Sequence, residues 1–327
     1  MIPLSILDLS VVRSGATTGD ALADTTRLAQ RADHLGFRRF WVAEHHNMAT
    51  VASTTPSVLI AHLAANTERI SVGSGGVMLP NHATFAIAEQ FALLEALHPG
   101  RIDLGIGRAP GTDPMTASAF GRHPHESVEK FPQDLIDLMG MLGDPRRDDG
   151  IWNRLRATPN ASSSPTIALL GSSGFSAQLA GMLGLAFAYA HHFDTGGTDV
   201  ASQLYLDNFT PSPVLDEPYL IVGAGALAAD TDDEAERIGL PSRILRLGIR
   251  TNTRQPLVSP DEAAVHPDAD RARSMPTEQL IGSTERVVEG LRHLVQRTAA
   301  NELMLTSATY DVADKIRSLE LVDAAWR

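Results

Sequence analysis

The sequence predicts an α/β fold, a single parallel (β/α)8 TIM barrel that spans residues 1–327. Short apolar runs alternate with segments of helical periodicity along the chain, which is the pattern of repeated βα units. The length of 327 residues suits one large barrel. Apolar residues make up 43% of the chain, enough to bury a sizeable core.

The first half of the chain supplies four predicted strands, at residues 4–9, 40–43, 70–73 and 102–105. Three helices separate them. The first carries its apolar face from Leu22 to Leu35, the second begins near Thr55-Pro56, and the third runs from about Thr84 to His98. Proline at the first turn and a His-Pro-Gly stop are typical helix boundaries.

The second half continues the alternation, with predicted strands at residues 166–170, 185–189, 219–227 and 302–305. A polar, Gly- and Pro-rich stretch at 108–125 comes before a helix near 131–142, and loops of that length are usually functional. Gly282-Ser283 is a plausible helix N-cap. The Pro- and Asp-rich stretch 251–275 is predicted to leave the barrel as an excursion.

Composition and charge exclude several classes of function. The chain has no cysteine, which rules out disulfides, thiolate metal sites and cysteine nucleophiles. A net charge of −12 with scattered basic residues gives no support for binding nucleic acid or an anionic membrane. No signal peptide and no apolar stretch of membrane-spanning length are apparent, so we expect a cytoplasmic protein.

Two strand ends in the first half carry candidate chemistry, because barrel active sites lie where the strands end. Glu44-His45-His46 follows the second strand. Neighbouring residues of an extended segment face opposite sides, which favours one site histidine, His45, over a shared metal ion. A hydrogen-bonded strand end is the alternative. Gly75-Gly76 follows the third strand and favours close approach of a flat ligand, or else a bulge.

Two further strand ends suggest an anion site. Arg108 follows the fourth strand and offers a guanidinium suited to phosphate or carboxylate, a surface ion pair being the alternative. Gly171-Ser172-Ser173-Gly174 leads directly into a helix. Backbone N–H groups at a helix start, together with two hydroxyls, can bind an anion, and ordinary N-capping is the alternative.

Other polar residues near strand ends have simpler interpretations. His191-His192 follows the sixth strand and either lines the pocket or forms a capped, solvated pair. Asn81-His82 suggests turn chemistry. Glu302 and Asp311 flank the last strand and are expected to solvate the rim.

Four motifs together resemble the bacterial-luciferase-like flavin monooxygenases. They are AEHHN at 43–47, GSGGVMLPNH at 73–82, HPGRIDLGIGRAPGTD at 98–113 and LLGSSGFSAQLA at 169–180. The resemblance covers nearly the whole chain in order, and the third motif is the most specific.

The resemblance implies reduced FMN as the cofactor and assigns its binding residues. His45 matches the catalytic histidine beside the flavin, and Glu44 adjoins the isoalloxazine site. Gly75-Gly76 matches a non-prolyl cis peptide under the ring. Arg108 and the turn at 171–174, formed by Gly171, Ser172, Ser173 and Gly174, match the phosphate site.

The implied reaction is oxygenation of a small organic substrate by O₂ through a C4a-(hydro)peroxyflavin. The resemblance also implies a separate flavin reductase and a homodimer packed through the helices near 59–65 and 85–94. Stretches 108–125, 191–192 and 251–275 are candidate lids. The alternatives are an F420-dependent hydride-transfer oxidoreductase and a flavin-binding protein without turnover.

Overall fold

The computed structural model describes residues 1–109, 113–121, 124–193, 196–253 and 255–327. Nine parallel strands form its sheet. Their bounds are β1 Leu4–Asp8, β2 Arg39–Val42, β3 Ser71–Met78, β4 Ile102–Gly107, β5 Thr166–Gly171, β6 Ala186–Tyr189, β7 Leu220–Ala229, β8 Leu280–Ser283 and β9 Glu302–Thr306. All eight predicted strands are confirmed, and β8 is additional.

The sheet closes into a (β/α)8 barrel, as predicted. Strands β1 to β6 pair in sequence, β6 pairs with β7, β7 with β9, and β9 returns to β1. Strand β8 lies outside the ring and pairs only with the last residues of β7. The N-cap predicted at Gly282-Ser283 is confirmed, since Ser283 is both the last residue of β8 and the N-cap of the next helix.

Twelve α-helices surround the barrel within the described ranges. They are α1 Thr18–Leu35, α2 Pro56–Ala65, α3 Thr84–Leu97, α4 Pro114–Ala119, α5 Pro124–Met141, α6 Gly174–Met182, α7 Thr198–Asn208, α8 Asp232–Thr251, α9 Pro260–Ala264, α10 Ala269–Arg273, α11 Thr284–Thr298 and α12 Val312–Trp326. The main core forms where apolar faces of eight of these helices pack on the outside of the strands, namely α1, α2, α3, α5, α6, α7, α11 and α12.

The excursion predicted at 251–275 is confirmed. Helices α9 and α10 pack on α8 and share with it a small apolar cluster that is separate from the main core. Among the described residues, none of this stretch lines the large cavity of the barrel. Its predicted role as a lid therefore has no contact to support it.

Strand β3 is longer than the sequence pattern indicated. It continues through the glycine run to Met78, and its register against β4 shifts between Gly75 and Val77, which leaves Gly76 as a bulge. The bulge interpretation of the glycine pair is confirmed. The Gly75–Gly76 peptide bond is cis, as the resemblance implied.

No helix in the described part of the chain combines the length and the apolar character that a membrane crossing needs.

Candidate functional site

A cavity of about 490 Å³ opens at the carboxyl ends of the strands. Its volume is in the range of small-molecule and cofactor sites. Strands or strand ends of β1 to β7 and of β9 contribute to its lining. The position is the one at which (β/α)8 barrels place their active sites.

Small side chains inside the barrel create this space. Barrel interiors are commonly filled with Val, Ile and Leu, whereas here Ala43, Ala168, Ala186 and Ala188 point inward. Trp41 is fully buried beneath them, and its indole N–H donates to Asp103 at 2.9 Å. The indole therefore separates the cavity from the polar groups at the opposite end of the barrel.

The cis Gly75–Gly76 pair forms one wall of the cavity. A Cβ atom on Gly75 would lie 2.6 Å from Leu7 Cδ1, and one on Gly76 would lie 2.8 Å from the carbonyl oxygen of Gly105. A side chain at either position would therefore collide with its neighbours. At this wall the cavity is bounded by backbone without side chains.

Arg108 and the 171–174 turn lie at the rim, as the sequence suggested. Arg108, Gly171, Ser172 and Ser173 line the cavity. The Arg108 guanidinium stacks 4.1 Å from the centre of the Phe175 ring. Among the described residues it makes no ion pair, so the surface ion-pair alternative is not seen.

The serine turn does not act as an ordinary cap. Gly174 is the first residue of α6 and Ser173 is its N-cap, but the Ser173 hydroxyl makes no capping hydrogen bond. Ser172 and Ser173 are both exposed. Backbone N–H groups at the start of α6 and two hydroxyls therefore lie beside the Arg108 cation, a donor set suited to a phosphate.

Glu44 and His45 are directed to different sides. His45 lines the cavity, and its backbone N–H donates to the Ser53 carbonyl at 3.1 Å. The Glu44 side chain is fully buried behind the lining. This separation differs from the expected contact of Glu44 with a ligand, and it follows from the alternation of side chains in an extended segment.

The Glu44 carboxylate joins two histidines instead. Its Oε1 accepts hydrogen bonds from His46 Nε2 and His82 Nε2, each at 2.8 Å, and its Oε2 accepts from the Met78 N–H at 3.0 Å. Burial acts to raise the pKa of Glu44, but the hydrogen bonds from His82, His46 and Met78 hold it below its ordinary value.

His82 is the residue of this cluster that the sequence interpretation missed, since Asn81-His82 suggested only a turn. The ligand atoms of Glu44, His46 and His82 lie within 4.8 Å of one another, a spacing compatible with a metal ion. The hydrogen bonds already satisfy the carboxylate. His46 also packs edge-on against Phe120, 4.7 Å between ring centres, which connects the cluster to α4.

The stretch 108–125 contains the short helix α4. Asp113 caps that helix through the backbone N–H groups of Met115 and Thr116. Residues 110–112 and 122–123, which include part of the GRAPGTD motif and of the predicted lid, lie outside the described residues. The lid role of this stretch stays a prediction.

His191 and His192 are both buried, so the solvated-pair alternative is wrong. His191 Nδ1 lies 2.7 Å from Thr198 Oγ1. His192 lines the cavity, and its Nδ1 lies 3.2 Å from the Gly223 carbonyl oxygen. Burial lowers the pKa of His192 to about 4.

The prediction that Glu302 solvates the rim is wrong. It is completely buried at the start of β9 rather than solvated at the rim. Its carboxylate accepts hydrogen bonds from Arg39 Nε at 2.8 Å and Tyr219 at 2.7 Å. A glutamate beside an apolar run appears solvated in sequence, because its partners come from distant strands. Asp311 is exposed and caps α12.

The sequence is similar to a known protein family over most of its length. The family model described as luciferase-like monooxygenase matches residues 2–302. A luciferase-like monooxygenase of Escherichia coli strain K12 is 38% identical over 98% of this chain and 96% of its own length. The N-acetyl-S-alkylcysteine monooxygenase of Bacillus subtilis strain 168 is 33% identical over 99% of this chain and 98% of its own.

Among solved structures, apo-MsnO8 superposes with a TM-score of 0.92 at 34% identity, covering 100% of this chain and 98% of that one. The oxygenating constituent of 3,6-diketocamphane monooxygenase from a Pseudomonas putida plasmid, in complex with FMN, gives 0.72 at 20% identity, with coverages of 99% and 97%. An F420-dependent secondary alcohol dehydrogenase gives 0.70 at 16%, with coverages of 100% and 99%. These last two likenesses concern the fold alone.

Proposed function

Because the chain belongs to the luciferase-like monooxygenase family, we propose that it binds reduced FMN in the barrel cavity and uses O₂ to oxygenate a small organic substrate. The observation that carries the proposal is the division of the cavity into two parts. A cation and two hydroxyls lie at one rim, and the rest of the lining is largely apolar, with the Gly75–Gly76 backbone and two histidines among it.

The residues present fit the phosphate and the ring system of FMN. Arg108, Ser172, Ser173 and the first N–H groups of α6 would hold the phosphate. The Gly75–Gly76 surface, free of side chains, would accept the flat isoalloxazine. Each assignment rests on donor chemistry or shape, and each is testable by changing the cofactor.

When bound, the reduced flavin supplies the two electrons that, with O₂ and the substrate, yield oxygenated substrate, water and oxidised flavin. His45 would hold or transfer a proton at the cavity surface, since an imidazole has one nitrogen that can donate and one that can accept. Leu7, Leu170, Ile221 and Met304 form apolar wall and would exclude water from the reacting groups.

We further propose that reduced FMN arrives by diffusion from a separate flavin reductase. The substrate class has one lead from the relatives, the thioether of an N-acetyl-S-alkylcysteine, which the Bacillus subtilis enzyme is named for. A thioether would gain one oxygen atom to become a sulfoxide. N-acetyl-S-alkylcysteines of graded alkyl length are therefore the first substrates to screen.

The test is rapid mixing of anaerobic protein and reduced FMN with oxygenated buffer. We expect a transient absorbance species that outlives free flavin oxidation in the wild type and decays faster in His45→Ala. His293→Ala, an exposed histidine of α11, is the matched control and should behave like the wild type. Oxidation at the rate of free reduced FMN would contradict the proposal.

Titration of the protein with F420 and with FMN separates the two alternative functions. Saturable binding of F420, with substrate-dependent bleaching that is indifferent to O₂, would replace the monooxygenase with a hydride-transfer enzyme. Tight FMN retention without any oxygen-dependent change would indicate a flavin-binding protein without turnover.

We also propose a homodimer through α2 and α3. These helices lie against each other and expose Val58, Leu93 and Leu97, with 69%, 50% and 59% of each residue accessible. Large apolar side chains clustered on a surface favour protein contact. Sedimentation should show a dimer for the wild type and a monomer for Leu93→Glu. Val265→Glu changes an apolar residue next to α9 that is 84% exposed, and it should leave the dimer intact.

A further inference from the structure

A buried carboxylate and two histidines form a cluster behind the cavity wall. Glu44 follows β2 and is completely buried, and His46 comes two residues later, on the same side of an extended segment. His82 follows the short 3₁₀ helix at the end of β3. The side chains of His46 and His82 are 14% and 24% exposed, so solvent reaches the imidazoles but not the carboxylate.

The hydrogen bonds of Glu44 satisfy its oxygens, but they do not neutralise its charge. The lowered pKa keeps the carboxylate ionised at neutral pH. Within the described ranges its ion-pair partners are His46 and His82, and a histidine carries charge only when it is protonated. Buried carboxylates are ordinarily paired with a cation. A bound positive ion would complete the charge balance of this cluster.

The three ligand atoms converge as a metal site requires. Both Nε2 atoms lie 2.8 Å from the same oxygen, Glu44 Oε1, and the three atoms lie within 4.8 Å of one another. The donors of a tetrahedral zinc site lie roughly 3.3 Å apart, so each imidazole has to retreat from the oxygen by about 0.5 Å. The partial exposure of both histidines leaves room for this movement.

The surroundings hold the three groups in place. The Met78 N–H donates to Glu44 Oε2 at 3.0 Å, which orients the carboxylate and leaves Oε1 for an ion. The Phe120 ring packs against both imidazoles, with 4.7 Å between its centre and that of His46 and 6.2 Å to that of His82. Outer contacts of this kind orient metal ligands and limit the access of solvent.

We propose that Glu44, His46 and His82 bind one divalent transition-metal ion, with Zn²⁺ as the ion that suits this donor set. Two imidazoles and one carboxylate form three-ligand zinc sites, in which water takes the fourth position. Each neutral imidazole would carry its proton on Nδ1 and offer the lone pair of Nε2 to the ion. The searched part of the chain holds no second group of this kind.

This site is independent of the proposed flavin site. None of its three ligands lines the barrel cavity. The ion would join the segment after β2 to the segment after β3, directly behind His45 and Met78 of the cavity lining. Its binding can therefore be measured without flavin.

The experiment titrates Zn²⁺ into protein that a chelator has cleared of metal, in competition with a chromophoric zinc indicator. The wild type should bind one equivalent per chain. His46→Gln and His82→Gln each remove one ligand and should weaken binding at least about 100-fold, the upper end of the loss that outer-shell changes cause. His293→Gln, the same change at an exposed histidine of α11, should bind like the wild type.

A second measurement uses the wild type alone. X-ray absorption of the one-equivalent zinc complex should show two imidazole rings, with ligand atoms at about 2.0–2.2 Å from the ion. This readout stands even if the glutamine variants fail to fold.

The outcomes separate this inference from the proposed function. Binding without saturation at one equivalent, equal affinity in His82→Gln and the wild type, or fewer than two imidazoles at the zinc would mean that the ion binds only elsewhere on the surface, and the inference fails. Protein that binds FMN but not zinc contradicts this inference alone. Protein that binds zinc but neither FMN nor F420 contradicts the proposed function alone.

Discussion

Polar side chains are paired within the protein at one end of the barrel and largely unpaired at the other. At the amino ends of the strands, Arg39 lies between Asp103 and Glu302, with contacts of 2.9 and 2.8 Å. At the carboxyl ends, the Arg108 cation has no ion pair, the Ser173 hydroxyl caps nothing, and His192 Nε2 is unpaired among the described residues.

The difference indicates what each end does. Asp103 also accepts from Trp41, and Glu302 also accepts from Ser5 and Tyr219, so the amino-end network is complete without a ligand. It can contribute only to folding. The unpaired groups at the other end add little to stability by themselves, and in the proposed function Arg108 and Ser173 gain partners from the ligand.

The largest expected effect follows from breaking the amino-end network. Arg39→Met leaves Asp103 and Glu302 buried without a cation, and removing one member of a buried pair costs about 3–5 kcal/mol. Denaturant unfolding at pH 7 should show this loss. FMN affinity of the folded variant should change by less than about twofold, because Trp41 separates the network from the cavity.

Arg237→Met provides the control. Arg237 pairs with Glu234 at 2.8 Å, but both side chains are about half exposed, 51% and 43%, and such pairs contribute about 0–1 kcal/mol. If the two variants lost equal stability, the amino-end network would have no special role. If Arg39→Met also lost FMN, the two ends of the barrel would be coupled.

The next largest expected effect is the dependence of stability on pH caused by His192, at the carboxyl end of the barrel. His192 has a pKa of about 4 in the folded protein and an ordinary value near 6.5 when unfolded. As pH falls below 6.5 the unfolded chain takes up a proton that the folded protein refuses, so stability declines until about pH 4. The decline attributable to this group is roughly 3 kcal/mol.

Urea unfolding of the wild type and His192→Phe across this window measures that decline. The wild type should lose stability relative to the variant on going from pH 7 to pH 4, while the difference stays constant above pH 7. Parallel curves would mean that His192 takes up its proton as readily in the folded protein as in the unfolded chain, and they would contradict the lowered pKa.

Sequence patterns predicted the barrel well, because the βα alternation is a local signal. The eight strands and the excursion at 251–275 follow from periodicity and composition. Strand β8 was missed because four residues next to a helix cap carry too little pattern. Its pairing with β7 is a tertiary contact between residues more than 50 positions apart.

Part of the candidate site could also be predicted from the sequence. Arg108, Ser172 and Ser173 could be placed together because the carboxyl ends of parallel strands meet at one face of a barrel. The hydrogen-bond partners of Glu44 could not be predicted from the sequence. One of them, His82, is 38 residues away, and nothing in the local sequence links the two. Glu302 was misjudged because its cation comes from β2.

A smaller effect is expected at the rim. Arg108→Met should weaken FMN binding roughly 30- to 100-fold, since charge-assisted hydrogen bonds to a buried or partly buried phosphate contribute about 2–3 kcal/mol. Affinity for riboflavin, which has no phosphate, should be unchanged. Stability should change by less than about 1 kcal/mol, because the guanidinium makes no ion pair with the described residues and loses only its stacking on Phe175.

Equal losses for FMN and riboflavin would place the Arg108 effect on the ring system rather than on the phosphate. Ser172→Ala combined with Ser173→Ala sharpens the result. The double variant should reproduce the FMN loss at smaller magnitude and should also leave riboflavin binding intact.

The smallest of these expected effects is the loss of stability in a Glu44 variant. Glu44 combines features of the two ends of the barrel. Its carboxylate is satisfied within the protein, like the amino-end network, yet it lies directly behind the cavity lining. Glu44→Gln cannot accept from His46, His82 and the Met78 N–H together, and we expect a loss of about 1–2 kcal/mol. Glu285→Gln, an exposed carboxylate on α11, should cost almost nothing.

The pH dependence identifies the carboxylate as the cause. The pKa of Glu44 is lowered in the fold, so its contribution to stability is present above the unfolded pKa near 4.5 and is lost as pH falls through the lower folded value. The gap between wild type and Glu44→Gln should therefore close in acid. FMN affinity should change by less than about threefold, because Glu44 does not line the cavity. A variant that keeps its stability but loses FMN would place Glu44 in contact with the ligand, as the motif alone suggested.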